Sequence, residues 1–170
     1  MLRVVGFIVE ILILVCVYWF VFFFSALIHE LGHALVYMIV TGDSHWHIRI
    51  GAGKTLLKTQ QLTIKFAPFY GFFEPYENKL DTKAKSILML LGGPLFSLIM
   101  VVLLLLIRLK IGTFDFGFIT LDAIINILSL AFFLNISTFL FTIVPMRYFW
   151  GEHRGMPSDG LRIFKIIKSM

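Results

Sequence analysis

The most constraining feature of this sequence is the motif His-Glu-Leu-Gly-His at residues 29–33, inside an apolar run that extends from residue 4 to residue 40. Two histidines four residues apart on a helix face the same side and can bind one zinc ion. The glutamate between them can take a proton from a water molecule at the metal. Each of these groups is costly to bury in lipid. The motif therefore predicts a metalloprotease that works within a bilayer, with His29 and His33 as ligands and Glu30 as catalytic base.

Composition supports a membrane location. The chain has 170 residues, of which 59% are hydrophobic, and its mean hydropathy is +0.91. Soluble domains are nearer about 45–50% apolar. Further apolar runs at about 87–107 and 119–144 predict two more membrane helices. The run at 4–40 predicts one helix about 55 Å long, with a break into two near Ser25 as the alternative, so we expect three to four transmembrane helices.

The polar stretch at 42–86 predicts a small β-sheet. Apolar and polar side chains alternate at 45–50 and at 61–66, which is the period of a strand. The glycines at 51–54 predict the turn between the two strands, and the aromatic residues at 69–76 suit the membrane interface. The fold class is therefore mainly α, with an interfacial sheet between the first and second core helices.

The rest of the chain completes a single domain over 1–170. A short loop is predicted at 111–118, and 161–168 predicts an amphipathic helix lying on the membrane. Cys16 is the only cysteine, which excludes an intrachain disulfide and a zinc site built from several cysteines.

Basic residues predict the orientation, because cytoplasmic segments are enriched in Lys and Arg. The stretch 42–86 holds seven of them, the tail after Pro145 holds five, and the opposite side holds three, which are Arg3, Arg108 and Lys110. We therefore expect a multi-pass protein of a bacterial cell membrane, with a cytoplasmic C-terminus.

Zinc needs a third protein ligand and an open position for water. In the longer pattern known for soluble zinc proteases, a third histidine follows six residues after the second, but that position holds Ile39. The remaining candidates are His45, His47, Glu152, His153 and Asp159, and the residues alone leave this choice open.

Three motifs in order resemble the site-2 protease family of intramembrane zinc metalloproteases. They are the motif at 29–33, Leu-Gly-Gly-Pro-Leu at 91–95 and Pro-Ser-Asp-Gly at 157–160. The resemblance implies that Asp159 is the third zinc ligand. It also implies that the small residues Gly92, Gly93 and Pro94 allow close helix packing near the metal.

One position departs from the family pattern. The family usually has an asparagine three residues before the proline of the last core helix, where this chain has Thr142 before Pro145. Asn135 lies two turns earlier on the same helix face. Either Thr142 or Asn135 is a candidate for binding the substrate backbone or the oxyanion, and for Asn135 a bond to another helix is the alternative.

These observations predict a zinc metalloendopeptidase with one Zn²⁺ per chain. It would hydrolyse a peptide bond in a transmembrane or membrane-associated peptide near the cytoplasmic side. The short length motivates an alternative, a dedicated maturation protease for a small pheromone or bacteriocin precursor. A non-enzymatic membrane immunity or transport component is a further alternative. Expected partners are the lipid bilayer and the peptide substrate, not nucleic acid. A homo-oligomer or a regulatory membrane partner stays open.

Overall fold

A computed structural model describes residues 2–111, 121–149 and 151–169. In chain order the elements are α1 (Leu2–Thr41), β1 (Trp46–Lys58), β2 (Leu62–Pro75), α2 (Lys83–Ile111), α3 (Leu121–Ile143) and α4 (Asp159–Lys168). The predicted fold class is confirmed, because the chain is mainly helical and its small sheet lies between the first two core helices. Ile111 ends α2, and the rest of the loop predicted at 111–118 lies outside the described residues.

The first apolar run forms one continuous helix. α1 contains 40 residues without interruption, so the alternative of two helices broken near Ser25 is wrong. Such a helix is about 60 Å long, about twice the thickness of the hydrocarbon core. Large apolar side chains between Val5 and Val15 are exposed, as expected for a surface that faces lipid.

Three helices of the described chain are long and apolar enough to cross a membrane. They are Val5–Thr41, Lys83–Lys110 and Asp122–Ile143. α4 has only 10 residues, fewer than the roughly 17 that a spanning helix needs. The chain is therefore an integral membrane protein with three candidate spans in the described part.

The two strands form an antiparallel hairpin whose turn differs from the prediction. The turn predicted at 51–54 is wrong, since β1 continues to Lys58 and the chain reverses at 59–61. Gly51 and Gly53 have φ of 88° and 80° and coincide with shifts in strand register. Glycine adopts this left-handed conformation without steric cost, both in bulges and in turns. In this chain the two glycines bend β1, which then continues as a strand to Lys58.

The hairpin packs against the middle and the C-terminal part of α1. Ile48 and Ile50 of β1 are fully buried and form one apolar cluster with Phe23 and Ala34 of α1. The indole Nε1 of Trp19 also donates a hydrogen bond to the Phe66 carbonyl oxygen at 2.6 Å. These contacts fix β2 beside the helix that carries the histidines.

α1 and α2 touch backbone to backbone. A Cβ on Gly32 would lie 2.8 Å from the Gly92 carbonyl carbon, and one on Gly92 would lie 2.9 Å from the Gly32 carbonyl carbon. Only glycine permits this approach, as is common where membrane helices cross. The Gly-Gly-Pro triplet lies well inside α2. The crossing brings Gly93 to the histidines of α1.

Candidate metal centre

Three side chains from opposite ends of the chain converge at this crossing, of which the two histidines are buried and the aspartate is partly buried. His29 and His33 lie one turn apart on α1, with their Nε2 atoms 3.3 Å apart. The Asp159 Oδ2 atom, from the first turn of α4, lies 3.5 Å from Nε2 of His29 and 3.3 Å from Nε2 of His33. No other group of three or more metal-binding side chains with donor atoms this close occurs in the described residues.

The three distances suit one tetrahedral ion. Zinc binds histidine nitrogen and carboxylate oxygen at about 2.0–2.2 Å, which places neighbouring ligand atoms of a tetrahedron about 3.3–3.5 Å apart. The observed separations of 3.3, 3.3 and 3.5 Å match that edge length. Three protein ligands leave a fourth position open, as in catalytic zinc sites. The donor set present therefore fits zinc.

The imidazole rings are oriented by bonds on their far sides. Nδ1 of His33 donates to the Met89 carbonyl oxygen at 2.8 Å. A carbonyl oxygen only accepts, so this bond places the proton on Nδ1 and leaves Nε2 free to bind a metal. Nδ1 of His29 is 3.0 Å from the Ser97 Oγ. Both partners belong to α2, which therefore holds the rings as well as packing against their helix.

Gly93 leaves the space that an ion requires. A Cβ at this position would lie 2.7 Å from Nε2 of His29 and in closer contact with Nε2 of His33. A side chain here would occupy the region toward which both nitrogens point. Gly93, which was predicted to allow close helix packing near the metal, thus also borders the metal position directly.

Asp159 is placed by the residues on either side of it. The hydroxyl of Ser158 donates to the Val144 carbonyl oxygen at 2.7 Å and accepts from the Met146 and Leu161 backbone nitrogens at 3.1 Å each. It therefore caps α4 and ties it to the end of α3. Gly160 packs directly against the Ile143 carbonyl oxygen. Burial alone would raise the pKa of Asp159, but bonding to His29 and His33 holds the pKa below its usual range.

Glu30 lies in the same cavity, which has a volume of about 490 Å³. Its side chain is 7% exposed. β2 covers it at Gly71, where a Cβ would lie 2.6 Å from Oε1 of Glu30. Much of the remaining wall is aromatic and includes Phe22, Phe69, Phe72, Phe73 and Phe141. The arrangement joins a carboxylate base, three metal donors and an apolar cleft.

Thr142 and Asn135 occupy different surroundings. Thr142 lines the cavity, and its hydroxyl donates to the Thr138 carbonyl oxygen at 2.8 Å. Asn135 is 1% exposed and donates through Nδ2 to the Ser25 Oγ at 3.1 Å and to the Ala131 carbonyl oxygen at 2.8 Å. Asn135 thus connects α3 to α1. A role of either residue in binding substrate or oxyanion stays a prediction.

The other ligand candidates lie apart from the three donors or point elsewhere. His45 pairs with Asp43 at 2.7 Å, and His47 contacts the Gln60 carbonyl oxygen at 2.8 Å. Glu152 is exposed. His153 lines the cavity, where burial lowers its pKa and so favours the neutral ring.

Sequence reasoning missed three residues of the site, which are Gly71, Ser97 and Tyr148. Ser97 is a polar residue inside a span, and that signal could have marked it. Gly71 and Tyr148 carry no local signal, since both belong to segments that resemble ordinary interfacial sequence. Only the tertiary structure brings them to the cavity.

Comparison with known proteins agrees with this geometry. The sequence model that describes peptidase family M50 matches residues 17–115 of this chain. The matched range includes the histidine motif and the Gly-Gly-Pro triplet. The chain belongs to peptidase family M50. The site-2 protease resemblance is confirmed, and at the level of the family this M50 member is a membrane metalloprotease.

A relative supports the assignment across most of the chain. The uncharacterized membrane protein YwmF of Bacillus subtilis (strain 168) is 32% identical over 147 residues, covering 84% of this M50 chain and 80% of the relative. No solved structure matches the chain significantly.

Proposed function

We propose that this chain is an intramembrane zinc endopeptidase with His29, His33 and Asp159 as ligands and Glu30 as catalytic base. The observation that carries the proposal is the triangle of donor atoms, whose edges of 3.3, 3.3 and 3.5 Å suit a tetrahedral ion. Membership of the M50 family supports the same chemistry. The substrate would be a transmembrane or membrane-associated peptide.

The metal ligands and Glu30 have different roles in peptide hydrolysis. A bound zinc ion lowers the pKa of water and polarises a carbonyl group. Glu30 accepts a proton from the attacking water and returns it to the nitrogen of the departing amine. Gly71 of β2 confines the Glu30 carboxylate to one side of the cavity. Proton transfer therefore occurs in a site shielded by protein on several faces.

The cavity suits an apolar peptide in an extended conformation. Its aromatic wall offers contacts to hydrophobic side chains. A peptide bond inside a helix is shielded by its neighbours and has its carbonyl oxygen engaged in the helix. A transmembrane substrate must therefore unwind locally before its scissile bond reaches Glu30.

We propose a cytoplasmic C-terminus, because the hairpin region and the tail together carry twelve basic residues against three on the opposite side. We expect a reporter active only in the cytoplasm to work when fused after Met170. A reporter active only outside the membrane should work when fused at the N-terminus. The reverse pattern of activities would contradict the orientation and place the cleavage on the other side.

Zinc content tests the proposed ligands. We expect about one zinc ion per wild-type chain purified in detergent, and less than about a tenth of that in His29→Ala or Asp159→Ala, since a site with two ligands binds weakly. Asp81→Ala is the matched control, because Asp81 is an exposed aspartate paired with Lys85, and it should keep full zinc. Full zinc in Asp159→Ala would refute the ligand assignment. Absence of zinc from the wild type would favour a non-enzymatic membrane role.

A further inference from the structure

Peptide hydrolysis places negative charge on the carbonyl oxygen, which hydrogen-bond donors stabilise in addition to a metal ion. The two residues predicted for this role already use their donors. The Thr142 hydroxyl hydrogen is donated to a carbonyl of its own helix, and the two amide hydrogens of Asn135 go to Ser25 and Ala131. A protein donor for this oxygen must therefore come from another residue, or one of these bonds must break during the reaction.

Tyr148 is a further candidate donor, because it belongs to the wall of the same cavity. It lines the cavity together with Glu30, His29, His33 and Asp159. Its hydroxyl group has no hydrogen-bond partner among residues 2–111, 121–149 and 151–169. An unbonded phenol on a residue of this cavity wall is available to a substrate.

Backbone hydrogen bonds join Tyr148 to the segment that leads to Asp159. Its N–H donates to the Met156 carbonyl oxygen at 3.0 Å, and its own carbonyl oxygen accepts from the Gly155 N–H at 2.7 Å. The bridge between Arg147 and Pro157 closes the same loop. Asp159 follows directly after this loop, so the backbone of Tyr148 is tied to the segment that carries the carboxylate.

A tyrosine phenol is protonated at neutral pH, since its unperturbed pKa is about 10. Burial raises the pKa of Tyr148, and the negative charges of Asp159 and Glu30 raise it further. A protonated phenol is a hydrogen-bond donor at neutral pH.

We propose that Tyr148 is a further catalytic residue, whose hydroxyl donates a hydrogen bond to the scissile carbonyl oxygen as that oxygen becomes negative. No covalent bond to the phenol forms, and its proton stays on the tyrosine. The role rests on the proposed endopeptidase function. It also explains how a chain with threonine at position 142 can supply a donor from the neighbouring loop.

The test is Tyr148→Phe, which removes the hydroxyl and keeps the ring. On a synthetic single-span peptide in detergent we expect kcat to fall about 100-fold or more, as for loss of one oxyanion donor, with KM changed less than about threefold. Zinc content should equal that of the wild type. A phosphinic peptide, which mimics the tetrahedral anion, should bind more weakly by a factor similar to the loss in kcat.

Two further variants sharpen the result. Tyr18→Phe is the matched control, because Tyr18 is an exposed tyrosine of α1, and it should behave as wild type. Tyr70→Phe tests the other tyrosine of the cavity. The proposal is overturned if Tyr148→Phe keeps kcat within about threefold of wild type, if it loses zinc, or if Tyr70→Phe alone shows the loss. Wild-type protein that neither binds zinc nor cleaves would instead refute the endopeptidase function itself.

Discussion

Replacing Gly93 by alanine is expected to empty the metal site and abolish turnover. The added methyl group would lie 2.7 Å from Nε2 of His29 and closer still to Nε2 of His33. The methyl group would fill the space in which the Nε2 atoms of both histidines would bind an ion. Moving α2 away to make room would break the close backbone packing of the neighbouring Gly92 against Gly32. Zinc content per purified chain and cleavage of a co-expressed single-span substrate measure the effect.

Gly6→Ala provides the control for that experiment. Gly6 lies in α1 with open space where a Cβ would be, and alanine is the better helix former. It should therefore keep zinc and activity. If Gly93→Ala retained about one zinc ion per chain and wild-type cleavage, the ion would have to lie elsewhere than between the two imidazoles.

Replacing Glu30 by glutamine should leave zinc in place and remove nearly all cleavage. Glutamine has nearly the same size as glutamate, so packing against Gly71 is kept. Its amide cannot accept a proton from water, and loss of a general base costs about 10²–10⁴-fold in rate. Glu30 is not one of the three grouped metal donors, so zinc content should not change. Wild type and variant are each co-expressed with candidate single-span substrates, and the shortened product is measured.

The control for this change is Glu10→Gln. Glu10 is an exposed glutamate on the same helix, and its replacement should leave cleavage unaffected. Normal cleavage by Glu30→Gln would show that another group takes the proton. Loss of zinc from Glu30→Gln would show that the carboxylate acts on the metal and not on the water.

Local sequence patterns were sufficient for the helices and for the histidine pair. The spacing of His29 and His33 fixes their common face, because the helical period is a local property. The strand alternation at 45–50 and 61–66 likewise predicted a real hairpin. The turn at 51–54 was wrong because a glycine with positive φ bends a bulged strand as readily as it closes a turn. No feature of the local sequence distinguishes a glycine in a bulge from a glycine in a turn.

The third donor and the cavity walls depend on contacts between distant parts of the chain. From the residues alone, Asp159 was one candidate among five, and only the resemblance to a family selected it. Its position depends on Ser158 reaching back to Val144 and Met146. Tyr148 and Gly71 reach the cavity through a loop and a strand whose paths no periodicity specifies. Such placements need the packed structure.

Asp159 and the histidines come from α4 and α1, so a shared ion would act as a cross-link between the first and last helices. It would close a loop that contains most of the polypeptide. Joining such distant points restricts the unfolded chain more than joining near ones, although the dependence on length is weak. Binding that favours the folded state also stabilises it. The ion would therefore help to hold the C-terminal segment in place in addition to its part in hydrolysis.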